Sequence, residues 1–391
     1  MNTEDYSYTY EADYTDYFDK ALMAFGVFYA LKISRLDYFE GIVLYVKLGS
    51  FILSLCFSML CILHNFKWTL YHKIAFALLF FVPLFLRIKY TSNVLGSSML
   101  IMAAYNIPFS HIVKSCLKVL IFVFAIVLVS MGLDIIEDRK YYRDVDVFRN
   151  SYAHDLGFKY YSYYAYLGMG FIQCCIYMWR KHISLGQIVF LTALSYVFFL
   201  VSSTRLQLYS CIAFIVAIFS IPYVPKKILH NKLLAFLAVI AYPIICVVLY
   251  FVSKYFILSV FYDGYDELNT AMNNRLTMNE EAFMRYDVTL WGNDLDFDTS
   301  ETTMDYFYID SGYLHVLLGD GLVFILIILL LYSILTYKLF KSHAYYLYIW
   351  VLIYSILNIS NGFLVAILEN PILLLAFSDT KSISFDYNRR G

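Results

Sequence analysis

Apolar blocks, each about as long as a bilayer is thick, alternate with short polar turns along most of the chain. About twenty apolar residues in a helix cover a hydrocarbon core of roughly 30 Å. On that measure the pattern predicts spans at 21–35, 40–63, 70–87, 91–107, 112–133, 159–178, 182–202, 206–223, 233–257, 311–337, 343–359 and 362–378. The clearest are Ile183–Ser202, Leu233–Val252 and Gly321–Tyr337. The first block is short and carries Lys32, and 91–107 is weakly apolar, so the count is ten to twelve helices. No repeat or flexible linker interrupts the pattern. The expected fold is all-α: one polytopic integral membrane domain over 1–391, with a large loop at 258–310.

Composition agrees with this reading. The 391 residues are 61% hydrophobic and 15% charged, which excludes a disordered chain and makes an ordinary soluble enzyme improbable. The net charge of −1 gives no argument for nucleic acid. All seven cysteines lie in apolar blocks without metal-site spacing and read as small buried hydrophobes. The acidic, Tyr-rich first twenty residues are the opposite of a basic leader region.

Charge sets the expected orientation. Arg180/Lys181, Lys226/Lys227/Lys232, Lys338/Lys341 and Lys381/Arg389/Arg390 fall on one side when the spans alternate, and that side is cytoplasmic by the positive-inside rule. Loops 134–158 and 258–310 then face outward. Arg35, Arg87 and Lys89 land outside if all twelve spans are real, which argues against the full early count, and Arg139, Lys140, Arg143 and Arg149 breach the rule in the first outer loop. An anionic substrate is one reason for such a breach.

Five constellations carry candidate chemistry. Arg149 precedes Ser151-Tyr152-Ala153-His154-Asp155-Leu156-Gly157-Phe158. Its guanidinium suits a phosphate or a lipid headgroup, and His154 suits acid–base work. Ser202-Ser203-Thr204-Arg205 puts a cation at a tight helical turn, for snorkelling or for a cavity mouth. Arg275 and Arg285 are the only cations in the acidic loop, and each has carboxylates such as Glu280 or Asp287 nearby in sequence. Asp310, before Ser311-Gly312-Tyr313, fits either a helix N-cap or a carboxylate that binds sugar hydroxyls or accepts a proton. Glu369-Asn370-Pro371 places an acid and a helix breaker inside the last apolar block, which favours a role in a bundle interior. Asp294-Leu295-Asp296-Phe297-Asp298 lacks the glycine of a calcium loop and reads as a solvated acidic face. No zincin motif, P-loop or dinucleotide fingerprint is present, so no metal and no cofactor are expected.

These segments, in this order, resemble the Wzy family of bacterial repeat-unit polymerases for capsule, exopolysaccharide and O-antigen. Arg149 with Leu156-Gly157-Phe158 resembles its Arg…LGF element, and Thr204-Arg205 its small-polar/Arg turn. Leu268…Asn274-Arg275 and Leu290-Trp291-Gly292 resemble the family's Leu-x-x-Arg…Leu-Phe-Gly pattern. Tyr308-Ile309-Asp310-Ser311-Gly312-Tyr313, followed by Leu317-Leu318 and Gly321, resembles its acidic helix start, and Glu369 a late acidic position. The resemblance covers roughly 149–371. It departs at Lys159-Tyr160-Tyr161, at Trp291 in place of Phe, and in a longer Leu268–Arg275 spacing.

The resemblance implies a C-type glycosyltransferase architecture in the bacterial cytoplasmic membrane with an outward-facing active site. The substrate would be an oligosaccharide on undecaprenyl pyrophosphate, and the growing chain would pass to the non-reducing end of a new lipid-linked unit. Flippase and chain-length regulator proteins are candidate partners; no nucleotide sugar or metal is implied. Arg149, Arg205 and Arg275 would stabilise the pyrophosphate, with Arg285 also a candidate contact. Asp310, Glu369 and His154, in that order, would assist the acceptor hydroxyl, and Tyr313 and Trp291 would stack on sugars or pack. The competing readings are a lipid-linked oligosaccharide flippase, an O-antigen ligase and, more distantly, an acyltransferase built on His154-Asp155.

Overall fold

The computed structural model describes residues 3–39, 41–90, 94–146, 149–180, 183–297 and 307–379. Its elements run α1 (Thr3–Ile33), α2 (Ile42–Asn65), α3 (Leu70–Tyr90), α4 (Val94–Ala103) and α5 (Phe109–Gly132). An antiparallel hairpin follows, β1 (Lys140–Asp146) and β2 (Arg149–His154). Next come α6 (Tyr163–Trp179), α7 (Leu185–Ser202), α8 (Arg205–Ser220), α9 (Lys226–Leu229), α10 (Lys232–Val239) and α11 (Ala241–Lys254). The chain continues through α12 (Ile257–Phe261), α13 (Tyr265–Ala271), α14 (Arg275–Arg285), α15 (Gly312–His315), α16 (Gly321–Lys341) and α17 (Tyr345–Leu357).

The helical, multi-pass character expected from the apolar blocks is present. Among the described residues five helices are long and apolar enough to cross a bilayer: Ile42–Asn65, Leu70–Arg87, Phe109–Gly132, Leu185–Ser202 and Gly312–Lys341. A sixth candidate is the pair α10 and α11, bent by 50°. The expected ten to twelve spans therefore exceed the helices that meet this length; Val94–Ala103, Arg205–Ser220 and Tyr345–Leu357 are apolar but shorter. The segment expected to span at 362–378 is not a helix. It runs through turns into a 3-10 stretch at Pro371–Ala376. Pro371 lacks an N–H donor and opens that stretch, where the missing donor costs least.

The chain clusters into two compact units. One comprises Met1–His72, Met99–Tyr223 and Ile367–Gly391; the other comprises Lys73–Ser98 and Val224–Ala366. In the first unit α1 packs along α2 and against α5, and α5 against α6. The 367–378 stretch is almost wholly buried there, so its irregular backbone is shielded by protein, the condition under which such backbone is tolerated at membrane depth. Gly170 on α6 makes this possible: a Cβ there would collide with the Leu368 carbonyl oxygen.

In the second unit the 312–341 segment is central. Of its most apolar window 61% is buried, against 17% for Leu70–Arg87 and for Leu185–Ser202, which present most of their surface outward. Tyr313 and Tyr332 within the central segment, and Tyr242 and Tyr354 on neighbouring helices, are buried completely. Tyr242 stacks on Tyr332 at 4.0 Å. Three of the four hydroxyls donate to backbone carbonyls: Tyr242 to Val351 at 2.8 Å, Tyr313 to Ser355 at 2.9 Å and Tyr332 to Leu364 at 2.9 Å. These three phenols thus bury an aromatic ring without stranding the O–H.

Candidate functional site

In the second unit the described part of the acidic loop, 258–297 and 307–310, is folded. Helices α13 and α14 form a short helical hairpin, and its fastening is Asn269. The Asn269 Oδ1 accepts the backbone N–H groups of Leu276 and Thr277 at 3.1 and 3.2 Å, and its Nδ2 donates to Thr277 Oγ1 at 2.6 Å. Asn274, at the N-cap position of α14, sits at φ 61° and makes no side-chain cap. Asn269 therefore supplies the cap from five residues upstream. Tyr265 donates to Glu280 at 2.8 Å across the same hairpin.

This fastening fixes Arg275, the first residue of α14. Its Nε donates to Asp310 Oδ2 at 2.7 Å, and the two side chains are 21% and 33% exposed. Two residues expected in separate constellations are thus one ion pair. Asp310 is not the N-cap of the next helix; Ser311 is, with its side chain accepting from Leu314 N–H. The partly open guanidinium and carboxylate form a polar site at the entry to the 312–341 segment.

Leu290-Trp291-Gly292 serves that entry as a backbone clamp. The first N–H groups of α16 have no partner within the helix. Leu322 and Val323 donate instead to the carbonyls of Thr289 and Leu290, at 2.9 and 3.2 Å, while Asn293 N–H donates to Leu318. Gly292 and Gly321 hold φ 77° and 89°, and a Cβ on Gly292 would collide with the Gly319 carbonyl. Trp291 lies edge-on to Phe85 at 5.1 Å and is 39% exposed. A π-turn at Val316–Asp320 lies beside this clamp, a feature frequent at functional sites.

Two other candidates of this unit have plainer roles. Tyr313 is fully buried beneath Ser355 and is not available for sugar stacking. Arg285 pairs with Glu281 one helical turn away, not with Glu280 or Asp287, and lies over the Phe307 ring at 4.4 Å. Asp294 and Asp296 lie in irregular chain, and Asp298 is outside the described residues.

In the first unit the hairpin region is organised by a pair that sequence reasoning did not single out. Arg35, just beyond α1, and Asp155, just beyond β2, are 5% and 0% exposed. Arg35 donates to Asp155 through Nε at 3.1 Å and through a terminal nitrogen, and to Tyr141 at 3.1 Å. The other Asp155 oxygen accepts the N–H groups of Arg139 and Gly157 at 2.9 and 3.1 Å. Burial, then the Asp155 charge, raises the Tyr141 hydroxyl above its ordinary value. Gly157, at φ 81°, forms the turn through which Leu156-Gly157-Phe158 folds back, and Phe158 is buried. Nearby, Asp37 is bracketed by Lys159 and Lys47. Burial raises its carboxyl, but the two ammonium groups outweigh burial and hold it below the ordinary 3.8. Arg35 is thus neutralised by a carboxylate 120 residues away in sequence.

His154 pairs with Asp138, Nδ1 to Oδ2 at 2.5 Å. The His154–Asp155 pairing of the most distant competing reading is not seen: His154 bonds Asp138, and Asp155 is engaged by Arg35 and two backbone N–H groups. Arg149 opens β2, and its side chain lies outside the described residues. Arg205 is exposed at the start of α8, after the left-handed Ser203. There its charge adds to the positive end of the helix dipole, an arrangement suited to an anion. Glu369 is buried and accepts a hydrogen bond from Tyr29.

The structure therefore groups Arg275 with Asp310 in one unit, and leaves His154, Arg205 and Glu369 in the other at separate contacts. Arg35, Asp37, Tyr29 and Asn269 were missed. The signal for Arg35 was its breach of the positive-inside rule; Asn269 gave none, because its role depends on a turn five residues away. Among the described residues no group of three or more His, Cys, Asp or Glu side chains is placed to hold a metal ion. No family model, curated protein or solved structure matches the chain.

Proposed function

We propose that this membrane protein is an outward-facing polymerase of oligosaccharide units linked to undecaprenyl pyrophosphate. The observation that carries the reading is the partly exposed Arg275–Asp310 pair, held by a folded acidic loop at the mouth of the central helical segment. A fixed cation answers the charge that develops on a departing pyrophosphate. A carboxylate beside it takes the proton of an attacking sugar hydroxyl. The acceptor oxygen forms the new glycosidic bond, the sugar–phosphate bond breaks, and the lipid pyrophosphate leaves.

The test is the purified full chain with synthetic lipid-linked repeat units. Wild type extends them and releases carrier, while Arg275→Ala and Asp310→Asn accumulate in the membrane yet stop at one unit. Ladders of wild-type length from both variants, at matched protein, would overturn the assignment. One observation favours a second reading, a flippase for the same lipid: the 50° break between α10 and α11, since broken helices line transporter sites. Translocation without chain growth in the same preparation would select it.

A further inference from the structure

Every Asp and Glu of the second unit lies between Asp263 and Asp320; the stretches 73–98, 224–262 and 321–366 contain none. At the end of α16 away from Arg275 and Asp310, the turn after that helix meets the turn between α9 and α10. Two imidazoles converge there. His343 Nδ1 lies 2.8 Å from the Tyr345 hydroxyl, and that hydroxyl lies 3.2 Å from His230 Nε2. The ring centroids are 5.0 Å apart. Tyr345 is buried, whereas both histidines are exposed. His343 is held at φ 57°, in the left-handed region that β-carbon residues rarely occupy.

The lysines around this corner add to its field. Lys338 and Lys341 end α16, where the helix dipole favours cations. That preference does not extend to Lys232, which opens α10 at the end where the dipole is already positive. Lys227 and Lys232 flank His230 in sequence, and both are exposed. The corner thus concentrates positive potential with no carboxylate in its flanking stretches. It also lies at the ends of two candidate membrane-crossing segments, Gly312–Lys341 and the bent pair starting at Lys232. That is the depth of lipid headgroups.

We propose that the His230–Tyr345–His343 corner is a binding site for the phosphate of an anionic phospholipid in the adjacent leaflet. One buried hydroxyl orients both rings, and the lysines supply the long-range attraction that basic pockets at membrane-helix ends give to lipid phosphates. The site is independent of the polymerase reading.

Titration of the detergent-purified full chain with phosphatidylglycerol, followed by native mass spectrometry, tests it, with phosphatidylcholine as neutral control. His230→Gln/His343→Gln and Lys338→Gln/Lys341→Gln are each expected to weaken phosphatidylglycerol binding roughly tenfold. Tyr345→Phe keeps the buried ring, removes only the orienting hydroxyl, and is expected to weaken binding to a lesser degree. Arg285→Ala, in the acidic loop, leaves it unchanged. Unaltered affinity in the two double variants, or equal binding of phosphatidylcholine, overturns the proposal. Inorganic phosphate binding as tightly as phosphatidylglycerol would assign the corner to a soluble ligand and overturn the lipid.

Discussion

The two arginine–aspartate pairs, one in each unit, make opposite use of the same chemistry. Arg35–Asp155 is buried, and both Asp155 oxygens are engaged. Arg275–Asp310 is partly open to solvent and sits at the end of a helix fixed by a remote asparagine. The first pair closes a hairpin onto the end of α1 and has no capacity left for a ligand. The second presents a charge of each sign at a polar opening. Residue type is the same in both; burial and hydrogen-bond saturation separate a fastening from a candidate site.

The largest expected effect breaks the first pair. Arg35→Ala leaves Asp155 as a buried charge without its counterion and is expected to cost roughly 3–5 kcal/mol. Thermal unfolding in detergent measures this, and Arg35→Met/Asp155→Asn should recover part of it, because the amide carries no charge and its oxygen still accepts the Arg139 and Gly157 N–H groups. A loss below about 1 kcal/mol for Arg35→Ala would mean that the pair is not the fastening of the hairpin.

A smaller effect sharpens the second pair. Asn269→Ala removes the cap of α14 and is expected to cost about 1 kcal/mol. If Asn269 acts through Arg275, it should lower chain growth in wild type and lower it by a clearly smaller factor in an Arg275→Lys background, which keeps a cation for residual growth but not the seated guanidinium. Additive losses in that cycle would reduce Asn269 to a general stabiliser of the loop.

The smallest effect concerns pH at Asp37. Its folded carboxyl lies below the ordinary 3.8, so its pairing with Lys159 and Lys47 stabilises the fold above that pH. The contribution is lost as pH falls through the folded value. The stability gap between wild type and Asp37→Asn should therefore be constant near neutrality and shrink under acid. A gap that widens below about pH 4 would contradict the sign.

Much of the helical framework was legible because long apolar blocks admit few alternatives in a bilayer. The 362–378 stretch misled for the same reason: it is apolar enough to span, yet it has no regular helix because surrounding protein, not lipid, covers it. The β-hairpin was hidden in a polar loop whose strands carry charge and little alternation. Among the candidate residues, Arg275 and Asp310 could be named but not joined, since 35 positions separate them. Tyr313 could be read from the sequence as a sugar platform or as packing, and in the structure it is a buried donor to Ser355.

The amino-acid sequence alone determined that this is a multi-pass helical membrane protein whose scarce charge is unevenly distributed, because hydropathy and charge act locally along the chain. Only the tertiary structure decided which cations are neutralised. Arg35 meets its carboxylate 120 residues away, and His343 meets His230 across a buried tyrosine. It also gave three of the 39 tyrosines a role, as phenols that satisfy backbone carbonyls within the core of the second unit. Pairing and burial depend on distances through space, which the order of residues does not contain.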